Sequence, residues 1–450
     1  MSEITRRIGL SLGADLCWPL CYEGILRRFD PAIPQGKDVV RFAVERVTIE
    51  PFDLRAPAKY DLVVDRLTHW YSTSREWIKK TVLMDGTYVF NNPWTIQSME
   101  KHTTYAAMMA LGFPVPDTWM IPPKAYEPKP DLEVTLSRYA RMFDLGAVGA
   151  KLGYPMYMKP YDGGGWQGVS RIDDEAALRR AYEVSGTHVM HLQKAIEPYD
   201  HFVRVVGFGP QARIIRYDPA LPLHDRYTME RDFVGADDAR TLVDMTLVIN
   251  AFFGWDFNSC EALAKDGVWH PIDFANACPD SQVTSLHYHF PWLVLANLEW
   301  SLYVAATKRP MRTNLDWAPF HAIARESAPF AKKLAAYAAI ARQRLDADRF
   351  AEFKATHLAR LPEVAWEFFA TPEAKEAVRV KTAALYPAHE VERFTELFWS
   401  RIQQWREDAP GGIERDTVTA AAAAPASPVA AAPAAPAKPR KPRAPKGAKP

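Results

Sequence analysis

The chain has 450 residues, 48% of them hydrophobic and 24% charged. That describes a globular protein of two or three folded units with a sizeable core, and it excludes a disordered, collagen-like or disulfide-stapled chain. The net charge is +1, but six basic residues (Lys438, Arg440, Lys441, Arg443, Lys446, Lys449) sit in an acid-free tail; removing them from 55 basic residues leaves 49 against 54 acidic ones, so the body gives no reason to expect a nucleic-acid binder.

In chain order, "RIGLSL" near the start is a short strand ending in Gly13. No long apolar run precedes a cleavage-like site, so no secretory signal is expected. The cysteines are Cys17, Cys21, Cys260 and Cys278. Four in so long a chain fit a reducing, cytoplasmic setting, and Cys17 and Cys21 read as ordinary buried thiols. Asp15 reads as a loop cap. "YDLVVDRL" (60–67) and "YVFNN" (88–92) are strands, and "STSREWIKKTVLMDG" between them is a helix ending at Gly86. Strands alternating with helices predict an α/β unit with a parallel sheet.

Asn92 before Pro93 supplies helix-start chemistry, and Gly112 with Pro114 ends that helical run. "DTWMIP" and "YPMYMKP" (154–160) are strands, the second entering the glycine-rich "YDGGGWQGV". Strands follow at 188–196, 201–208 and 212–217, then a helix in "DARTLVDMTLVINAFFGW". "SCEALAKDGVWHPIDFAN" reads as a hairpin around Lys265-Asp266-Gly267. "FPWLVLANLEWSLYVAA" is interrupted by Asn297 and Glu299 and predicts a buried helix, not a membrane span. From about 311 to 408 the periodicity is helical throughout, and this part is expected to be separate. The Ala/Pro/Lys-rich tail cannot bury a core and is expected to be disordered, a weak tether for an acidic partner at most.

The glycine run is not a P-loop, because Lys159 precedes Gly163, Gly164 and Gly165 instead of following them. Strand-like runs lie on both sides, which makes it a hairpin flap. Glycine lets backbone N–H groups approach a phosphate with no Cβ in the way, while Lys159 offsets its charge. Downstream, Glu261, Asp273 and Asn276 fall on the two strands of the hairpin, and oxygen ligands of this kind suit Mg2+. Asp273 sits in an otherwise apolar strand, where an ionised group needs a partner. His287 and His289, just beyond, are candidates for substrate contact.

The order and spacing of these pieces resemble the ATP-grasp superfamily, which includes D-alanine–D-alanine ligase, glutathione synthetase and RimK-type ligases, over roughly residues 1 to 300. The resemblance implies an ATP-grasp fold, α/β and α+β. Its parts would be a Rossmann-like pre-ATP-grasp domain (1–92), two lobes holding ATP between them (93–310), a helical extension (311–410) and a disordered basic tail (411–450). It implies an ATP- and Mg2+-dependent ligase that joins a small-molecule carboxylate to an amine through an acyl phosphate. Lys101 and Lys159 would hold phosphates under the glycine flap. Gln193, Lys194 and the backbone at Ile196 would meet adenine, and Asp200 the ribose. Glu261, Asp273 and Asn276 would hold Mg2+, and Arg204 and Arg216 phosphate or acyl-phosphate oxygens.

Three departures stand out. The usual hinge Glu is Gln193, the two metal carboxylates are exchanged in type, and Asp273 precedes Asn276 by one residue more than usual, which calls for a bulge. A homo-oligomer is a further expectation. A non-catalytic nucleotide-binding regulatory or scaffolding protein is the alternative, which the altered metal spacing favours and the intact lysine pair and glycine loop oppose.

Overall fold

The computed structural model describes residues 2–48, 50–95, 101–161, 167–276 and 278–413. The glycines Gly163–Gly165 and the tail from 414 onward lie outside the described residues.

The first elements are β1 (Ser2–Ser11), α1 (Cys17–Phe29), β2 (Ile33–Gln35), β3 (Asp38–Arg46), β4 (Leu62–Asp65), α2 (Ser72–Asp85) and β5 (Tyr88–Phe90). They form a five-stranded sheet in the order β2-β3-β1-β4-β5, parallel except for the β2–β3 pair. Helix α2 ends where expected, at a left-handed Gly86. Helix α1 and strand β3 carry no start signal that sequence reading uses. Leu16, not a hydroxyl or carboxyl residue, precedes α1, and β3 is only half-buried along most of its length. Cys17 and Cys21 are free buried thiols, as expected.

Next come α3 (Lys101–Ala110), β6 (Thr118–Ile121), α4 (Leu132–Tyr139), α5 (Leu145–Leu152), β7 (Met156–Pro160), β8 (Ser170–Ile172), α6 (Glu175–Val184) and β9 (Met190–Lys194). Residues 93–95 form a turn, so the helical run expected from Pro93 is described only from Lys101. The strands make an antiparallel sheet in the order β6-β9-β7-β8. One face packs Met156, Met158, Met190 and Leu192 on α5 and α6, which leaves Tyr157, Lys159, His191 and Gln193 on the other by strand alternation.

A second antiparallel sheet has β10 (His201–Phe208), β11 (Gln211–Arg216), β12 (Phe257–Lys265) and β13 (Val268–Asp273) in the order β11-β10-β12-β13. The chain crosses from β11 to β12 through α7 (Ala236–Phe253). Asp266 and Gly267, with φ of 51° and 73°, make the tight β12–β13 turn that an Asp-Gly pair favours. After a short helix α8 (Val283–Leu286), α9 (Phe290–Thr307) is buried on nearly every side, as its long, mostly apolar run predicts.

Six helices complete the described chain: α10 (Ala318–Ala324), α11 (Phe330–Arg344), α12 (Ala347–His357), α13 (Leu361–Phe368), α14 (Pro372–Leu385) and α15 (Val391–Asp408). Read from sequence as a separate part, they share cores with the rest of the molecule. Leu334 and Tyr337 of α11 lie in one cluster with Leu242 and Val248 of α7, while Phe368, Val378 and Phe398 join Tyr22 of α1 and Trp300 of α9 in another. Gly24 of α1 has no Cβ because one would sit 2.5 Å from the Phe368 ring.

Asp256 joins three of these layers. Its Oδ1 accepts from Tyr88 Oη and Trp300 Nε1, both at 2.9 Å, and Arg309 donates to Tyr88 Oη at 2.7 Å. Burial pushes the Asp256 carboxyl up to about 6, with Arg309 and the two donors opposing. A folded-state pKa above the ordinary 3.8 means that this group favours the fold fully below that value and loses that contribution as pH rises through about 6. Asp256→Asn is therefore expected to flatten stability between pH 4 and pH 6 and to add about 2 kcal/mol at pH 7. Urea unfolding of both proteins across that range checks it; an equal fall with pH in the variant would place the titration elsewhere.

Candidate functional site

The polar face of β7 and β9 stands opposite the β12–β13 hairpin, and α3 closes one end. Lys159 lies on β7 beside His191. Its Nζ donates to Gln193 Oε1 at 2.7 Å and to the Ile272 carbonyl at 3.1 Å. Gln193 is pinned in turn, its Nε2 donating to Thr118 Oγ1 at 2.9 Å. Lys101 opens α3, and its Nζ lies 3.0 and 3.3 Å from the two carboxylate oxygens of Asp273. Both lysines are buried, at 4% and 8% exposure, where an ammonium survives only with such partners.

On the hairpin, Arg204, Glu261 and Asp273 form one row across β10, β12 and β13. Directly paired residues of antiparallel strands share a face, so three charged groups are presented together. The register slips between Glu261 and Ala262: Ala262 pairs with Pro271, and Glu261 with Asp273. The extra residue on β13 is thus Ile272: a bulge is present, but it precedes Asp273 and does not take up the additional residue between Asp273 and Asn276. A bulged residue leaves ladder groups free, and the Ile272 carbonyl accepts from Lys159 Nζ and from Tyr105 Oη at 2.7 Å. The bulge therefore both aligns the carboxylates and anchors Lys159. Asn276 follows, its N–H donating to Asn258 Oδ1 at 3.0 Å and its Nδ2 to the Ser259 carbonyl at 3.4 Å.

The cluster is electrostatically divided. Burial, then the neighbouring Asp273 charge, push the Glu261 carboxyl up to about 7 despite Arg204, Lys101 and Lys159. Burial also acts to raise Asp273, but Lys101 and Lys159 outweigh it and hold that carboxyl below its usual range. Burial, then the Lys101 charge, draw Lys159 down to about 8 against the attraction of Asp273 and Glu261. His191, fully buried beside both lysines, is pushed to about 3 by burial and then Lys159, and is neutral at physiological pH.

Two opposed carboxylates and a carboxamide are hard oxygen donors of the kind Mg2+ takes. No hydrogen bond from the described residues reaches the Glu261 carboxylate, whose repulsion with Asp273 a cation would offset, so these residues fit that metal. Among the described residues no group of three or more His, Cys, Asp or Glu is gathered to hold one. A metal would therefore complete its shell with Asn276, ligand or water.

The structure brings together Lys101, Lys159, Gln193, Arg204, Glu261, Asp273 and Asn276. Arg204 donates to Ser259 Oγ at 2.9 Å and to Tyr227 Oη. Arg216 is a correction. Its register partner is Val203, not Arg204, so it falls on the opposite face of the sheet, where it pairs with Glu230. Arg213, buried and paired with Val206, shares the Arg204 face. The three-residue offset between Arg213 and Arg216 in a period-two strand is the signal that could have found it. Lys194 is a second correction: it alternates away from Gln193, is exposed, and its N–H bonds the Asp117 carbonyl at 2.9 Å. Ile196 packs against the core, and Asp200 is exposed just before β10, its N–H held by the Ala264 carbonyl at 2.8 Å.

Other expectations change as well. Asp15 is not a loop cap but a buried ion pair with Arg66 at 3.1 Å, and Ser281 donates to it at 3.1 Å. His287 and His289 are buried and pushed down by desolvation, and His289 Nε2 lies 2.8 Å from the Thr228 carbonyl. Sequence pattern does not single out His191 or Tyr105, because two aromatic side chains in apolar-looking segments carry no local mark of the lysines they meet.

No protein-family model matches the chain, and no curated protein matches it. Solved structures do. The RimK domain ATP-grasp protein of Sphaerobacter thermophilus is 16% identical, with 65% of this chain and 97% of that one covered at a TM-score of 0.44. The D-alanine–D-alanine ligase of Bacillus anthracis complexed with ATP is 16% identical over 67% and 99%, also at 0.44. VanG D-Ala:D-Ser ligase of Enterococcus faecalis is 12% identical over 75% and 100%, at 0.43. Each of these is a likeness at 12–16% identity.

Proposed function

We propose that the protein is an ATP- and Mg2+-dependent ligase joining a small-molecule carboxylate to an amine through an acyl phosphate. One observation carries the reading: two buried lysines from one sheet and its leading helix converge on the Arg204–Glu261–Asp273 row of another. Buried cations set against paired carboxylates suit a polyphosphate and its counter-ion and serve no evident packing purpose. The division of the chain at 92, 310 and 410 belongs to this reading.

ATP would lie between the two antiparallel sheets with its adenine toward Gln193 and its phosphates toward Lys101 and Lys159. Glu261, Asp273 and Asn276 would hold Mg2+, which supplies charge neutralisation at the phosphates. Transfer of the terminal phosphoryl group to a carboxylate spreads negative charge over its oxygens. Lys159, fixed by Gln193 and the Ile272 carbonyl, and Lys101, tethered to Asp273, are pre-set to meet that charge without reorganisation. Arg204, steadied by Ser259 and Tyr227, would face the acyl-phosphate oxygens while an amine attacks the acyl carbon and phosphate leaves. Gly163–Gly165 would cover the intermediate and exclude water.

The test is ADP release by the purified protein with ATP, Mg2+ and pools of amino acids and small acids. Release that needs both a carboxylate and an amine is expected, with phosphate formed in equal amount. ATP binding without turnover on any pool would instead favour a nucleotide-binding scaffold, and failure to bind ATP would overturn both.

A further inference from the structure

Where β1 and β4, paired in the first sheet, reach their carboxyl ends, the chain continues into Asp15 and Arg66. Both are buried. The backbone at Arg66 is fixed on both sides. Its N–H bonds the Ser11 carbonyl at 2.8 Å, and the Asp65 carboxylate accepts from the N–H groups of Leu67 and Thr68 at 3.1 and 3.2 Å. From there the guanidinium reaches a distant segment. Nη2 donates to the Pro279 carbonyl and to Ser281 Oγ, both at 2.9 Å, while Nε meets Asp15 Oδ2 at 3.1 Å. Ser281 Oγ and Gln282 Nε2 close the ring on Asp15 Oδ1, at 3.1 and 3.3 Å. Cys278 Sγ lies 3.6 Å from the Arg66 carbonyl.

Pro279 and Ser281 follow Asn276, the carboxamide of the proposed metal set, by three and five residues. On its other side Asn276 is held by β12, its N–H on Asn258 Oδ1 at 3.0 Å. Phe257, the residue before Asn258, has its ring 5.4 Å from the Arg66 guanidinium. One guanidinium thus meets the chain on both flanks of Asn276. The Asn276 Nδ2 contact with the Ser259 carbonyl is long, at 3.4 Å, and leaves the placing of the carboxamide to the backbone around it.

Contacts behind a metal ligand govern affinity because they fix the ligand's orientation. A guanidinium holds several acceptors in a set fork, which an ammonium cannot. We propose that Arg66 is a positioning residue for the metal: it pins the 278–282 segment to the first sheet and so presents Asn276 to Mg2+ beside Glu261 and Asp273. This rests on the metal-dependent reading above and adds to it a residue of the first sheet, outside the ligand set.

The test reads binding and needs no turnover. The full chain is titrated by calorimetry with the non-hydrolysable ATP analogue AMP-PNP, in EDTA and at saturating Mg2+, and the ratio of the two Kd values measures the metal's contribution. Arg66→Lys keeps a charge for Asp15. It is expected to leave the Kd in EDTA unchanged and to cut the Mg2+ enhancement about tenfold. Asn276→Ala is expected to cut the enhancement too. Adding Arg66→Lys to it should cut no further, because residues that act through one group are not additive. Arg342→Lys weakens the Asp244–Arg342 pair between α7 and α11; it controls for general loosening and should keep the enhancement. Ser281→Ala removes one contact of the same ring and carries the same test if Arg66→Lys does not fold. The inference is overturned, and the metal reading left standing, if the enhancement survives in Arg66→Lys and Ser281→Ala, or if the Kd in EDTA rises as much as the Kd in Mg2+. It is likewise overturned if the losses in Arg66→Lys and Asn276→Ala multiply, or if Arg342→Lys shows the same loss. No enhancement by Mg2+ in the unmodified protein would sink the metal reading itself and this inference with it.

Discussion

Asp273→Asn is expected to leave ATP binding measurable while cutting substrate-dependent ADP release on the order of 10²–10³-fold, the scale of losing one group that stabilises transition-state charge. Asparagine keeps nearly the same shape and an acceptor for Lys101 Nζ, which now sits 3.0 Å from the carboxylate, so the hairpin and its bulge persist. What disappears is the charge. Lys101 is then a buried cation with a neutral partner, at a stability cost of about 2 kcal/mol. Glu261 also loses the repulsion that helps hold its carboxyl near 7, so it ionises more readily in the variant. Initial-rate measurements beside calorimetric ATP titrations separate the two effects. Unchanged turnover would remove the hairpin carboxylates from the chemistry.

The second large effect is expected at Lys159, where function and stability move in opposite directions. Burial draws its pKa from 10.5 to about 8. The unfolded chain therefore holds this proton more tightly than the folded one. Stability rises as pH climbs from about 8 to 10.5, and below about 8 the buried charge costs the fold about 3 kcal/mol. Lys159→Met removes that cost and is expected to be the more stable protein at pH 7, by about 1–3 kcal/mol after its lost hydrogen bonds to Gln193 and Ile272 are counted. ATP affinity in the unmodified protein should fall with pH above about 8, following one proton. In Lys159→Met it should be weaker at pH 7 and flat with pH. Urea midpoints and ATP titrations between pH 7 and pH 10 check both limbs. A variant that is less stable and keeps the pH profile would show that another group titrates. A gain in stability from deleting a polar group is the mark of a position kept for function.

Much of this was legible in the sequence because it depends on short-range pattern. Alternation in "YPMYMKP" puts Met156 and Met158 on one face and Lys159 on the other. Asp266-Gly267 fixes the hairpin turn. The apolar run of α9, interrupted by Asn297 and Glu299, identifies a buried helix before any coordinate does. Each of these follows from the periods of strand and helix and from turn chemistry, which act over a few residues.

The tertiary structure alone decided which distant groups meet. That Lys101 pairs with a carboxylate 172 positions away, that Asp15 binds Arg66 and Ser281, and that α1 sheds a Cβ at Gly24 for Phe368 are consequences of chain closure. So is the union of the later helices with the earlier cores, since an amphipathic helix shows which face is apolar but not what covers it. Arg216 is the instructive case. Its residue type suits phosphate chemistry as well as Arg204 does, and only the register of β10 on β11 sends one to the cleft and the other to Glu230. Strand pairing, which no local period specifies, separates them.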